Sequence, residues 1–193
     1  TPEAEPTRVY LADVPGAVQS QIRVGQVSLA PDDPDYFAAK VFSEVYGGSF
    51  GSRLNMALRG EQGRTYGAYG GFTFQRCAGY LDSSVSTQTE QTAEALKSVL
   101  DVLNGMRTAP PSSQELERAR SHLIGSAVLQ LETFVDSANF LWYLEFMGFA
   151  SDHLARSLEA YATVTPEDIQ RVAREHIDPN RLTVVVVGDA REV

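Results

Sequence analysis

The order of hydrophobic patterns along this chain predicts an α+β fold, an antiparallel or mixed sheet covered by helices. Three observations carry that reading. Strand-like stretches dominate the opening, helical stripes fill the second half, and one wholly apolar run returns near the end.

Residues 1–7 carry two prolines and two glutamates without apolar pattern and read as a linker, so the domain is expected over 8–193. Residues 8–14 and 19–29 read as two strands joined by a turn at Pro15-Gly16. The second alternates imperfectly, with Ile22, Val24, Gln26 and Ser28 opposite Arg23, Gly25, Val27 and Leu29. Residues 31–34 turn into a helix over 35–46, where Ala38, Ala39, Phe42, Val45 and Tyr46 share a stripe. Gly47 and Gly48 close it. Ser52 suits an N-cap for a second helix carrying Leu54, Ala57 and Leu58, and Gly63 is placed to stop it. Residues 65–74 follow as a strand with Tyr66, Ala68, Phe72 and Phe74 on one face. A polar strand over 78–87 is expected to pair with it through a turn at 75–77.

A helix over 89–105 bears Leu96, Val99, Leu100 and Leu103 on one stripe. After Pro110-Pro111, Ser112 and Glu115 form a capping box for a helix with Leu116, Ala119, Leu123, Ala127 and Leu131. Asp136 is placed to cap the next helix, with Phe140, Leu141 and Leu144, and Asp152 to start a short one. Thr165-Pro166 opens a helix in which Ile169, Val172, Ala173 and His176 face one way, and Asp178-Pro179 ends it. The run 182–187 reads as a strand buried on both faces. At 193 residues the chain has ample length for one core.

The formal charge of −9 disfavours nucleic acid and anionic membrane as partners and suits cationic peptides. No run of about 18 apolar residues is present, so neither a membrane span nor a signal peptide is expected within these residues. The expectation is a soluble protein, with cytoplasm and periplasm equally open. The single cysteine, Cys77, leaves no internal disulfide and no cysteine metal site.

Chemistry concentrates in residues 47–70, GGSFGSRLNMALRGEQGRTYGAYG: a helix, a glycine stop and a strand. Arg59 near the helix end and Tyr66 at the strand start are seven residues apart, so their heads are able to converge. A guanidinium and a phenol together donate hydrogen bonds to a carbonyl oxygen or an oxyanion. Read without further context, an arginine at a helix C-terminus also simply meets the dipole, and a tyrosine packs its ring.

The spaced residues Gly47, Gly48, Ser52, Arg53, Leu54, Leu58, Arg59, Gly63 and Tyr66 resemble a segment of the C-terminal, metal-free homology domain of insulinase/pitrilysin-type zinc metallopeptidases. That family includes mitochondrial processing peptidase. The similarity extends over nearly the whole chain, from 9–29 through Pro34-Asp35-Tyr36 to Val172-Ala173, Asp178-Pro179 and 184–189. The resemblance implies the processing-peptidase-like fold and carries the grip on the peptide backbone to Arg59 and Tyr66. It makes Arg53 one arm of a structural ion pair and Gly63 a backbone requirement. Gly60 departs from the family pattern, where an acidic residue is commoner, and the loop before Ser52 is short, which puts loop gating in doubt.

The family's active half carries H-x-x-E-H on a helix, two imidazoles for zinc and a glutamate for its water. Here the three histidines, His122, His153 and His176, stand apart, and the nearest match, Val172-Ala173-Arg174-Glu175-His176, has valine where a ligand is needed. No catalytic residue and no metal or other cofactor is therefore expected in this chain. Zinc is expected in a partner half, either upstream of Thr1 in a longer chain or in a separate subunit, with a peptide as substrate and a second copy as another admissible partner. Such a chain is expected to be inactive alone.

Two other readings stand beside this one. One is an assembly subunit of the same fold without catalytic duty. The other is a serine hydrolase, because Gly47-Gly48-Ser49-Phe50-Gly51 satisfies G-x-S-x-G. That motif needs an entering strand, whereas the helical pattern of 35–46 precedes Ser49, and no lysine accompanies the glycines for phosphate binding.

Overall fold

The computed structural model describes residues 6–59, 65–129 and 131–193, without the side chains of Thr65, Tyr66 and Val128. Five strands form one sheet: β1 (Arg8–Asp13), β2 (Gln19–Ser28), β3 (Thr65–Phe74), β4 (Gly79–Gln88) and β5 (Thr183–Gly188). Their spatial order is β1-β5-β2-β4-β3. Only β1 and β5 run parallel; the other pairs are antiparallel, so the sheet is mixed. The turn at Gly16, whose φ is +79°, joins β1 to β2, yet these strands do not pair. Strand β5 lies between them.

Seven helices accompany the sheet among the described residues: α1 (Tyr36–Tyr46), α2 (Arg53–Arg59), α3 (Thr92–Thr108), α4 (Ser113–Leu129), α5 (Phe134–Met147), α6 (His153–Thr163) and α7 (Pro166–His176). One face of the sheet carries the core. Ile22 and Val24 of β2, Ala68 and Phe72 of β3, Leu81 and Val85 of β4, and Val184 and Val186 of β5 belong to one core in which α1, α2 and α3 meet the sheet and α7 packs on α1 and α3. The opposite face bears Arg23, Tyr69, Tyr80 and Val187 and is open. Thus β5 alternates between buried and accessible residues; the expectation of a strand covered on both faces fails because no helix lies on the second side of the sheet among the described residues. A run of four valines satisfies a half-covered strand as readily as a doubly covered one.

Local chemistry explains the helix starts. Thr165 and Asp168 form a reciprocal capping box with Pro166 at the first helical position of α7. Ser112 and Glu115 do the same for α4, the Ser112 amide donating to Glu115 Oε2 at 2.7 Å. At α5 the cap is Thr133, not Asp136: Thr133 Oγ1 accepts from the Asp136 amide at 3.1 Å, and Asp136 is the third-position partner. The helix begins one turn earlier than the apolar spacing suggested. Helix α3 starts after a short 3-10 turn, and its buried stripe is Ala95, Val99, Leu103 and Met106, which turns Leu100 outward. Leu131 lies past the end of α4 and is exposed. Among the described residues no helix is long and apolar enough to cross a membrane.

Candidate functional site

The segment 47–70 is assembled outward from the end of α1. The Gly47 amide donates to the Ser43 carbonyl at 3.0 Å, and Gly47 bridges to Gly70 on β3. A Cβ on Gly47 would lie 2.5 Å from the Gly70 nitrogen, so only glycine lets helix end and strand approach this closely. The chain then turns through Ser49–Gly51 to Ser52, whose hydroxyl accepts from the Asn55 amide at 3.4 Å and starts α2.

Two residues fix α2. Leu54 is fully buried. Asn55, also buried, donates its side-chain amide to the Ala68 carbonyl of β3 at 2.7 Å and to the Ser49 carbonyl at 3.1 Å. One side chain thereby ties the loop, the helix and the strand together. Sequence reasoning passed over Asn55; the available signal was a polar residue on the inner side of a short helix, where its amide has to be satisfied by protein groups. On the outer side Arg53 forks onto Glu115, Nε to Oε1 at 2.6 Å and Nη2 to Oε2 at 3.1 Å, and also reaches the Pro110 carbonyl. The guanidinium, aided by the Ser112 hydrogen bonds, holds the Glu115 carboxyl at about 2, against the opposing effect of burial.

Arg59 is the last residue of α2, and its guanidinium carbon lies 4.1 Å from the centroid of the Phe50 ring. Stacking of this kind occupies the flat face of the guanidinium and leaves its edge of N–H donors available. Tyr66 stands at the start of β3 where the register with β4 shifts, between Thr65 and Gly67. Its phenol, like Gly63, lies outside the described residues. Arg59 thus closes α2, and Tyr66 is the second residue of β3.

Ser49 has no elbow. Helix α1 precedes it, and its hydroxyl faces the Glu44 carbonyl at 3.5 Å. The three histidines go to separate places. His122 Nδ1 is 2.8 Å from Glu44 Oε2, His153 stacks on Phe149 with centroids 3.9 Å apart, and His176 Nε2 is 2.8 Å from Asp35 Oδ2.

Among the described residues one trio, Asp33, Asp35 and His176, brings possible metal-ligating atoms within 4.8 Å of one another. Asp35 is already held by Arg171 through two hydrogen bonds of 2.7 Å. That guanidinium, with His176 assisting, keeps the Asp35 carboxyl below the usual carboxylate range and places a positive charge where a cation would have to enter. Val172, at the position of the missing imidazole, is fully buried. These residues do not fit a catalytic zinc.

Comparison with known proteins follows the same line. The model of the peptidase M16 inactive domain matches residues 1–123. A curated relative in Helicobacter pylori, "Non-peptidase homolog YmxG", is 29% identical over 162 residues, 82% of this chain and 37% of the relative. "Uncharacterized zinc protease SCO5738" of Streptomyces coelicolor is 26% identical over 174 residues, 90% of this chain and 38% of the relative. The crystal structure of a peptidase M16 inactive domain from Pseudomonas fluorescens superposes with a TM-score of 0.89 at 26% identity, covering 98% of this chain and 45% of that one. A protease from Helicobacter pylori shares the fold with a TM-score of 0.87 at 18% identity, over 97% of this chain and 45% of that one. The chain thus spans well under half the length of the curated relatives it matches. The family model covers well over half of the residues, so the chain belongs to the peptidase M16 inactive-domain family.

Proposed function

We propose that this chain, over residues 8–193, is the substrate-binding, metal-free half of an M16-type zinc metalloendopeptidase. The observation that supports the reading is the Arg59 guanidinium held over the exposed Phe50 ring at the end of α2. In this reading Arg59 donates to a backbone carbonyl of the bound peptide, and the Tyr66 phenol donates to the oxygen on which charge develops. A partner half supplies zinc and its activated water. The partner either continues the same natural chain or is a separate subunit, in keeping with relatives more than twice as long as the matched region. The open face of the sheet, opposite the helices, gives a peptide and a partner half room to lie.

The test is reconstitution with a zinc-bearing M16 half. The chain alone should show no chelator-sensitive cleavage, and the pair should show it. Arg59→Ala and Tyr66→Phe should each lower kcat/KM of the pair by about 10- to 100-fold, the cost of one lost donor, with the Tm of this chain unchanged. Normal cleavage by both variants would sink the role. A second reading has one observation in its favour, that a relative 29% identical is named a non-peptidase homolog. It makes this chain an assembly subunit, and in that case reconstituted cleavage is indifferent to Arg59 and Tyr66.

A further inference from the structure

A second cavity lies on the helical side of the molecule and shares no lining residue with the segment 47–70. It has a volume of about 470 Å³ and is walled by α1, α4, α5 and α6. Phenol and phenyl rings dominate the walls, from Tyr36, Phe140, Tyr143 and Tyr161, with Leu123 beside them. Among the described residues, one lysine lines this space. Lys40, from the middle of α1, lines the cavity and carries its ammonium 5.7 Å from the Tyr36 ring centroid and 5.1 Å from that of Phe74.

The groups around that ammonium do not neutralise it. Among the described residues no carboxylate oxygen lies within 4.0 Å of Lys40 Nζ. Glu44, one turn along α1, is turned to His122. Asp136 lines the cavity, but its Oδ2 accepts from the Thr133 hydroxyl at 2.5 Å as part of the α5 cap. His153 is stacked on Phe149, and burial lowers its pKa. Beyond the aromatic faces, the ammonium has the Glu44 carboxylate acting on it only through space, without an ion pair, and burial outweighs that help.

We propose that this cavity binds a small aromatic monocarboxylate, its carboxylate paired with Lys40 and its ring packed among the tyrosines. The volume falls within the range of small-molecule sites, and aromatic walls with a placed cation among a few polar groups are how such sites fix orientation. Burial holds the lysine pKa below its ordinary value, so an incoming carboxylate relieves a desolvated charge rather than competing with an existing pair. This site is independent of peptide binding at Arg59.

Phenylacetate and its uncharged amide, phenylacetamide, are the probes, titrated into the isotope-labelled chain and followed by amide NMR shifts. Phenylacetate should shift resonances of α1, α5 and α6 and bind at least tenfold more tightly than the amide. Lys40→Met, which keeps the length of the stem, should erase that difference. The proposal is overturned if millimolar phenylacetate moves no resonance there, if acid and amide bind alike, or if the variant keeps the preference. Should Lys40→Met not fold, the acid–amide comparison on the unmodified chain decides alone.

Discussion

Arg59 rests on Phe50: guanidinium carbon and ring centroid are 4.1 Å apart, and the ring is 75% exposed. An apolar ring left in water at the end of a short helix serves no core, so its effect is to hold the arginine. A cation–π contact at an exposed site contributes about 0.5–1 kcal/mol. Phe50→Ala is therefore expected to raise KM of the reconstituted peptidase by about 2- to 5-fold, leaving kcat and Tm nearly unchanged. Michaelis–Menten measurements on the paired halves check this. A fall in Tm without a KM effect would make the ring structural.

Arg53 and Glu115 predict a pH-dependent stability. Both side chains are less than a quarter exposed, and the fork between them is bidentate. The Glu115 carboxyl is lowered from an ordinary 4.5 to about 2 in the folded chain. A depressed acid contributes its stability above the unfolded value and loses it as pH falls through the folded value. This contribution is therefore complete above about pH 4.5 and disappears progressively toward pH 2. Arg53→Ala should cost about 1–3 kcal/mol at pH 7 by denaturant unfolding and flatten the stability curve between those pH values. Some slope remains, because Ser112 still donates to the carboxylate.

The glycines separate into required and tolerant positions. Gly47→Ala forces a methyl against the Gly70 backbone at 2.5 Å, which is expected to cost about 1–3 kcal/mol. Gly105, inside α3, has nothing within 4 Å of its missing Cβ. Gly105→Ala should stabilise by about 0.5–1 kcal/mol, the helical preference for alanine. Paired thermal melts of the two variants against the parent read opposite signs.

Much of this architecture is legible before any coordinates, and the failures have physical causes. Caps were readable where a proline or a glutamate marked them, as at Thr165 before Pro166 and Ser112 with Glu115. At α5 the same logic chose Asp136 because Thr133 precedes the apolar pattern, and one turn was lost. The place of β5 between β1 and β2 is set by long-range pairing that no local pattern records. At the candidate site, the glycines and Arg53 announced a tight corner. Asn55 did not, since its importance lies in which carbonyls surround it, those of Ser49 and Ala68. Phe50 was likewise invisible as the platform for Arg59, nine residues on along the chain, because the loop and helix between them decide whether the two meet.

The single tryptophan offers a probe of how α5 is covered. Trp142 is 65% exposed and stacks on Phe146 with centroids 5.3 Å apart, and Phe134 at the start of the same helix is 97% exposed. Hydrophobic residues on this scale along one helix are unusual on a free surface. If the isolated chain is monomeric, its emission should be that of a water-exposed indole, readily quenched by acrylamide and little shifted by guanidinium unfolding. A blue-shifted maximum that moves red on dilution would instead mean that a second copy covers α5 at working concentration. Adding a zinc-bearing half to the monomer then distinguishes the surfaces: a blue shift appears only if that half lies over Trp142, whereas docking on the open face of the sheet leaves the emission unchanged while peptide cleavage begins.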